Sequence, residues 1–302
     1  ALEQFEIAVA GLEGFPDVET GVHRARKALK RVRAVLRLVR DVLDRDVYRA
    51  ENVVARDVAR VLSPIRESFV LARTLDSLLV EEPTAISAAS AVELRAHLVA
   101  RYRDIAGAIL DDRDLTTNLL TTVKCAATRF AHWPVMSVLV GPDVIDIRST
   151  IPERFDSLEP GLRRVYRRGR RRFGEAKAMP TMASVHEWRK RVKYLRYQME
   201  ALTTIWPEVI GGFERSLNAL SEVLGAEHDL ADLAVLVHLE PDLISRHLDR
   251  NRLLSAIARR RSALQSEAFD IGGRVYVEEP RTFTARIGHY WTASHRNQQY
   301  SI

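Results

Sequence analysis

The sequence predicts an all-α protein, and three observations carry that prediction. Apolar residues recur at spacings of three and four almost throughout. Alternating, strand-like runs are scarce, with RVYVEEP near residue 275 as the one short candidate. Proline, glycine and capping residues break the apolar pattern into helix-sized pieces.

The basic stretch 21–40, GVHRARKALKRVRAVLRLVR, has a helical period. Residues 47–79 follow the same period, and Pro64 inside them should kink or split the helix. A further helix covers 91–110, and Asp111-Asp112-Arg113-Asp114 after it reads as a solvated turn or helix cap. Between residues 134 and 160 the texture changes to Pro134, Gly141, Pro142, Pro152 and Pro160, which marks a linker. Helical patterns resume at 162–178, 185–206, 213–239 and 249–268. Ser184 with Glu187 fits a capping box that starts a helix at about Val185, and Pro207 with Gly211-Gly212 would end it.

The 302 residues suit one large domain or two ordinary ones, and 46% apolar residues suffice for a full core. The single cysteine, Cys125, excludes an intramolecular disulfide, fits a reducing compartment and reads as a buried helix thiol. No apolar run reaches 18 residues, so no membrane insertion is expected. The first residues lack a basic region and a long apolar core, which predicts no signal peptide.

The net charge is +6, but its distribution is uneven. Windows 22–40, 163–172 and 185–197 together carry +19, leaving −13 for the rest. Concentrated cations on an acidic body suit focused capture of a polyanion.

Two of these windows repeat each other. VHRARKALKRVR (22–33) lies over VHEWRKRVKYLR (185–196), matching His23 with His186, Arg26 with Arg189, Lys27 with Lys190, Lys30 with Lys193 and Arg33 with Arg196. A weaker echo, VLSPIRESF (61–69) over VLGAEHDLA (223–231), pairs Arg66 with His228 and Glu67 with Asp229. Both echoes keep the same order, which implies a duplicated unit of about half the chain. On a helical wheel His23, Arg26, Lys27, Lys30, Arg33 and Arg37 share a stripe about 120° wide and about 20 Å long. Ala25, Leu29, Val32 and Leu36 lie opposite. The second copy keeps the rail, with Trp188, Val192 and Leu195 on the core side and Glu200 in the place of Arg37. A mixed-sign stripe is ordinarily a solvated face, but a purely cationic one repels itself and weakens its helix. Such a rail points to an anion. In the third basic segment Arg164, Arg168 and Arg171 share a side and can complete the wall, whereas Arg163, Arg170 and Arg172 are expected outward.

A helix beginning V-H-x-x-R-K-x-h-K-x-h-R, with h apolar, present twice, resembles the CHAD domain, the conserved histidine α-helical domain. The basic RRVYRRGRRRF and the closing FDIGGRVYVEEPRTF (269–283) are similar to segments of that family. The resemblance implies one CHAD domain over residues 1–302. It would consist of two four-helix-bundle repeats, 1–145 and 146–302, related by pseudo-twofold symmetry around a basic central channel. The implied ligand is inorganic polyphosphate, with other polyanions as further partners. Carried over residue by residue, the ligating side chains are His23, Arg26, Lys27, Lys30 and Arg33 with His186, Arg189, Lys190, Lys193 and Arg196. Arg37, Arg66, Arg164, Arg168, Arg171 and His228 are added to them. Glu67 stands where the family pattern has Asp, and His228 where it has Arg. No metal or other cofactor is expected, and the expected location is cytoplasmic, with association with polyphosphate granules.

Three rival readings stand beside this one. A nucleic-acid binder would interleave aromatics with its cations, but the first rail has none, and although Tyr194 and Tyr197 flank the second, Trp188 points to the core. A polyphosphate or triphosphate hydrolase, or an accessory module of one, needs carboxylates gathered on a divalent metal. The chain lacks E-x-E-x-K and a P-loop, Lys190 breaks the H-E-x-x-H pattern at His186-Glu187, and His228-Asp229 is a lone pair. No catalysis is expected. The third rival is a scaffold that offers its rails to an acidic protein or lipid. His97, His132 and His289 are isolated and read as surface or capping residues.

Overall fold

The computed structural model describes residues 2–14, 18–131, 135–140, 143–148 and 154–299. Among the described residues six α-helices precede residue 132: α1 (Leu2–Leu12), α2 (Val18–Leu38), α3 (Arg45–Val61), α4 (Ser63–Glu81), α5 (Ala88–Leu110) and α6 (Arg113–Ala131). Five follow residue 154: α7 (Glu159–Ala178), α8 (Met182–Leu202), α9 (Pro207–Leu239), α10 (His247–Val275) and α11 (Pro280–Gln299). The packed body is therefore all-helical, as expected.

Local chemistry sets most helix ends. The Asp44 side chain accepts from the backbone N–H groups of Asp46 and Val47, capping α3. Pro64 does split the 47–79 pattern. It falls in the first turn of α4, where its missing N–H costs no intrahelical bond. Asp112 Oδ1 accepts from Leu115 N at 2.9 Å, so the acidic turn is a cap for α6. Thr181 caps α8, accepting from Ser184 N at 3.1 Å, and the helix starts three residues before the expected Val185. Glu187 turns instead to Lys190 and Arg191. Pro207 does not stop α8. The helix already ends at Leu202, and Pro207 opens α9, which runs on through Gly211-Gly212 for 33 residues.

Further expectations need correcting. RVYVEEP is not a strand: Val275 ends α10, and the segment to Glu279 forms the turn into α11. The strands lie in the expected linker, where β1 (Val135–Val140) and β2 (Asp143–Arg148) pair antiparallel with Val135 opposite Arg148. Cys125 is exposed on α6 rather than buried. His97 and His289 are exposed, as expected, and His132 lies outside the described residues.

Three apolar cores result. One gathers α1–α6 around Phe5, Leu29, Val32 and Leu62. A second gathers α7, α8, α11 and parts of α9 and α10 around Tyr166, Trp188 and Phe283, and it includes Leu38 from the end of α2. The third joins the halves: Leu75 and Leu78 of α4 and Leu94 and Leu98 of α5 pack with Leu230 and Leu233 of α9 and Leu253 and Ile257 of α10. Gly161 of α7 sits directly on the end of α2. A Cβ there would lie 2.0 Å from Leu38 O and 2.7 Å from Arg37 O.

Replacing Gly161 with alanine must push α7 off α2, so Gly161→Ala should destabilise by about 1–3 kcal/mol in urea unfolding. Gly174 lies on the same helix with nothing within 4 Å of its virtual Cβ. Gly174→Ala should stabilise by up to about 1 kcal/mol through helix propensity. Equal effects of the two changes would show that the α7–α2 contact is not close.

Candidate functional site

The amphipathic pattern of α2 works as the wheel predicts. Val22, Ala25, Leu29, Val32 and Leu36 are buried, and the cations are left on the other side. In α8, Val185, Trp188, Val192 and Leu195 do the same, with Trp188 stacked on Phe269. The two helices pack against each other, and α4 and α9 close on them. Together they enclose a cleft of about 360 Å³.

Nine of the sixteen expected ligands line this cleft: His23, Arg26, Lys27 and Lys30 from α2, Arg66 from α4, Arg189, Lys193 and Arg196 from α8, and His228 from α9. The remaining seven do not. Arg33 donates to Asn52 Oδ1 at 3.3 Å. Arg37 donates to Arg33 O at 2.6 Å and stacks its guanidinium 4.2 Å from the Tyr194 ring centre. Arg164 is tied to Asp41, with Nη1 3.0 Å from Oδ1. Arg168 is exposed on α7, and Arg171 lines a different cavity. Lys190 pairs with Glu187 at 2.6 Å. His186 sits at the cleft's edge, its ring 4.5 Å from that of His228 and its Nδ1 buried without a partner.

The cleft also holds groups that no single rail predicts. Asn218, Ser221, Glu222, His228, Asp229 and Asp232 come from one face of α9, and Glu67 comes from α4. The α9 residues follow a three-and-four spacing, so a wheel drawn for α9 would have grouped them. Seven Lys/Arg thus meet four carboxylates, and the surplus remains positive.

Some cations are fastened. Arg26, 7% exposed, donates to Ser63 O at 3.1 Å and to Ser63 Oγ at 2.8 Å, with Glu67 at 3.8 Å. Arg66 donates to Glu19 at 3.1 Å, and Arg196 to Glu214 at 3.0 Å. Others have nothing to hold. Among the described residues Lys27, Lys30, Lys193 and Arg189 make no side-chain hydrogen bond or ion pair, and Arg189 Nε is fully buried.

The energetics follow from burial and like charge. Burial, then repulsion from Arg26 and Arg189, lowers the Lys30 ammonium to about 7. Lys193 is pushed well down by burial, then by Arg189 and Lys30. Burial, aided by Arg66 and the neighbouring lysines, also lowers His23. His228 falls to about 3 through burial and Arg189, so its contact with Asp232 at 3.5 Å is not an ion pair at neutral pH. Asp232 rises to about 6 because it is buried and faces Asp229 and Glu67. The free cleft therefore strains against its own charge, and an entering anion would relieve it. Among the described residues no group of three or more His, Cys, Asp or Glu is placed to hold a metal ion.

The family model described as the CHAD domain matches residues 2–238. That span contains the whole cleft. The match ends within α9, so α10, α11 and the segment 269–283 lie outside it. No curated protein matches the chain.

Because Lys30 has a folded pKa of about 7 against an ordinary 10.5, its charge opposes folding fully below pH 7. Without ligand, this contribution should let stability rise with pH from about 7 to 10.5. Lys30→Met removes the charge, so at pH 7 it should raise Tm by about 2–4 °C, and the gain should vanish towards pH 10.5. Thermal unfolding across that range checks both, and a lower Tm for the variant at pH 7 would contradict the strain.

Proposed function

The chain belongs to the CHAD domain family, and from that membership and the cleft's unneutralised cations we propose that it binds inorganic polyphosphate without catalysing its turnover. The observation that carries this reading is the pair Lys30 and Lys193. They occupy equivalent places in the sequence repeat, enter one cleft, lose much of their hydration and form no ion pair among the described residues. A linear chain of phosphates supplies closely spaced oxygens to both. Arg189 and Arg66 offer planar forks to neighbouring phosphates, while the lysines act as mobile point charges.

The seam between α2 and α8 supports a channel between two halves related by a pseudo-twofold axis. Arg31 of α2 pairs with Glu200 of α8, with Nε 3.1 Å from Oε2. Arg37 of α2 stacks on Tyr194 of α8. With the repeat offset of 163, residues 31 and 37 correspond to 194 and 200, so these are one contact made twice with the roles exchanged. A twofold axis produces that relation. The pair Arg33–Asn52 likewise has its counterpart in Arg196–Glu214 at nearly the same offset. On this reading residues 1–145 and 146–302 are two repeats of one domain.

Two points favour binding over turnover and over nucleic acid. The cleft's carboxylates lie among cations: Glu67 is beside Arg26, and Asp229 is within the field of Arg189 and Lys193. Tyr197 is the aromatic in the lining, and at 7% exposure it offers no ring face to a base. A cytoplasmic location with recruitment to polyphosphate granules belongs to the same reading.

Calorimetric titration with polyphosphate of defined length tests it. Lys30→Ala/Lys193→Ala should lose about 100-fold or more in affinity, since charge-assisted hydrogen bonds contribute about 1.5–3 kcal/mol each. Arg113→Ala, on exposed α6 surface, should match wild type. Equal losses would mean diffuse attraction and defeat the proposal, as would equal affinity for single-stranded DNA of matched charge.

A bound phosphate should also restore the Lys30 proton. Above pH 7, where free Lys30 loses it, binding should take up protons and weaken as pH rises. Titrations in buffers of different ionisation enthalpy measure that uptake, and zero uptake at pH 8 would contradict it.

A further inference from the structure

A second cavity, about 930 Å³ and open to solvent, shares no lining residue with the central cleft. Its wall is the outer face of α7, where Arg163, Arg167, Arg170 and Arg171 recur at helical spacing, and Arg281 joins them from the start of α11. Two carboxylates, Glu175 and Glu279, oppose these five guanidinium groups. Some of the five have structural work. Arg170 donates to Tyr276 O at 3.2 Å and pairs with Glu279 at 2.7 Å, holding the α10–α11 turn to α7. Arg163 pairs with Glu159 at 3.2 Å.

The other three do not. Arg167 and Arg281 are exposed and have no hydrogen bond or ion pair from their side chains among the described residues. Arg171 is 3.7 Å from Glu175, a carboxylate already held by Arg172 at 2.6 Å. Along α7, Arg163, Arg167 and Arg171 stand at about 6 Å intervals. Like charges three and four residues apart repel along a helix and weaken it. Arginine, with its fixed fork of donors, suits phosphate oxygens.

We infer that this groove is a second binding site, for a linear phosphate polymer, separate from the central cleft and centred on Arg167, Arg171 and Arg281. Its floor favours phosphate over bases. Tyr276 is 3% exposed and stacked under Phe173, with ring centres 5.9 Å apart, and Phe173 is itself partly buried against the core, which leaves little ring surface for a base. The location follows from the guanidinium geometry and does not rest on the central cleft. With two sites on one protein, a long chain that reaches both gains avidity, and one that reaches only one can bridge two molecules.

The test compares wild type, Arg167→Gln/Arg171→Gln/Arg281→Gln, Lys30→Ala/Lys193→Ala and the variant combining all five changes. Tripolyphosphate should titrate two sites on wild type, one on each partial variant and none on the combination. With long polyphosphate, the slope of log affinity against log salt should fall by about 2 in the arginine variant, because three guanidinium–phosphate pairs no longer form. Unchanged stoichiometry and slope in that variant would overturn the inference, whatever Lys30→Ala/Lys193→Ala does. An oligo-dT of matched charge that binds the lysine variant as tightly as polyphosphate would overturn the choice of ligand. Should the triple change disturb folding, Arg167→Gln and Arg281→Gln singly should each lower the slope by about 1, and no change in either would count equally against the site.

Discussion

Two cationic helices are held side by side against their own repulsion, and the rest of the molecule is arranged to make that possible. The apolar side of α2 is committed to one core and that of α8 to another, so neither helix can turn its cations outward without exposing Leu29 and Val32 or Trp188 and Val192. Burial of those side chains outweighs the mutual repulsion of the lysines. At the seam itself the contacts are polar. Besides the two exchanged pairs, the buried Gln198 donates to Ala34 O at 3.2 Å. The third core then clamps the outer hairpins, α4–α5 to α9–α10, so that repulsion at the centre cannot open the halves.

Much of this is legible in the chain because the repeat preserves identity, not only hydropathy. His, Arg, Lys, Lys and Arg at fixed spacing specify a helix face, and the period of 3.6 then separates rail from core. Helix ends are less legible, because proline has two meanings. Pro64 and Pro207 both sit in first turns, yet Pro207 resembles a stop in the sequence since it follows a helical pattern. Ser184 resembles a cap because a Glu lies three residues on, while Thr181, which caps the helix, lacks that partner. The paired strands β1 and β2 lie in a stretch whose prolines and glycine carry the composition of a linker.

The site is half legible for a similar reason. Periodicity places seven of the eleven α2 and α8 candidates in the cleft, but Arg33, Arg37 and Lys190 are drawn away by Asn52, Tyr194 and Glu187, and His186 stays at the edge. Arg164 and Arg171 share a side of α7, but which neighbour that side meets is a tertiary fact: Arg164 reaches Asp41 and Arg171 faces the α10–α11 turn. The carboxylates are the larger omission from the sequence reading. Asp229 and Asp232 place negative charge inside the cationic cleft, which offsets part of the like charge gathered there.

The third core has a consequence for how the chain is made. Its two contributions, α4–α5 and α9–α10, are separated by the entire middle of the sequence. During synthesis at about 5–20 residues per second, α5 leaves the ribosome about 10 s or more before α10 can reach it. Throughout that interval Leu75, Leu78, Leu94 and Leu98 have no partner layer and stand open to chaperones or to the same surface of a neighbouring nascent chain. The element that locks the mature molecule is therefore also its most vulnerable surface at birth.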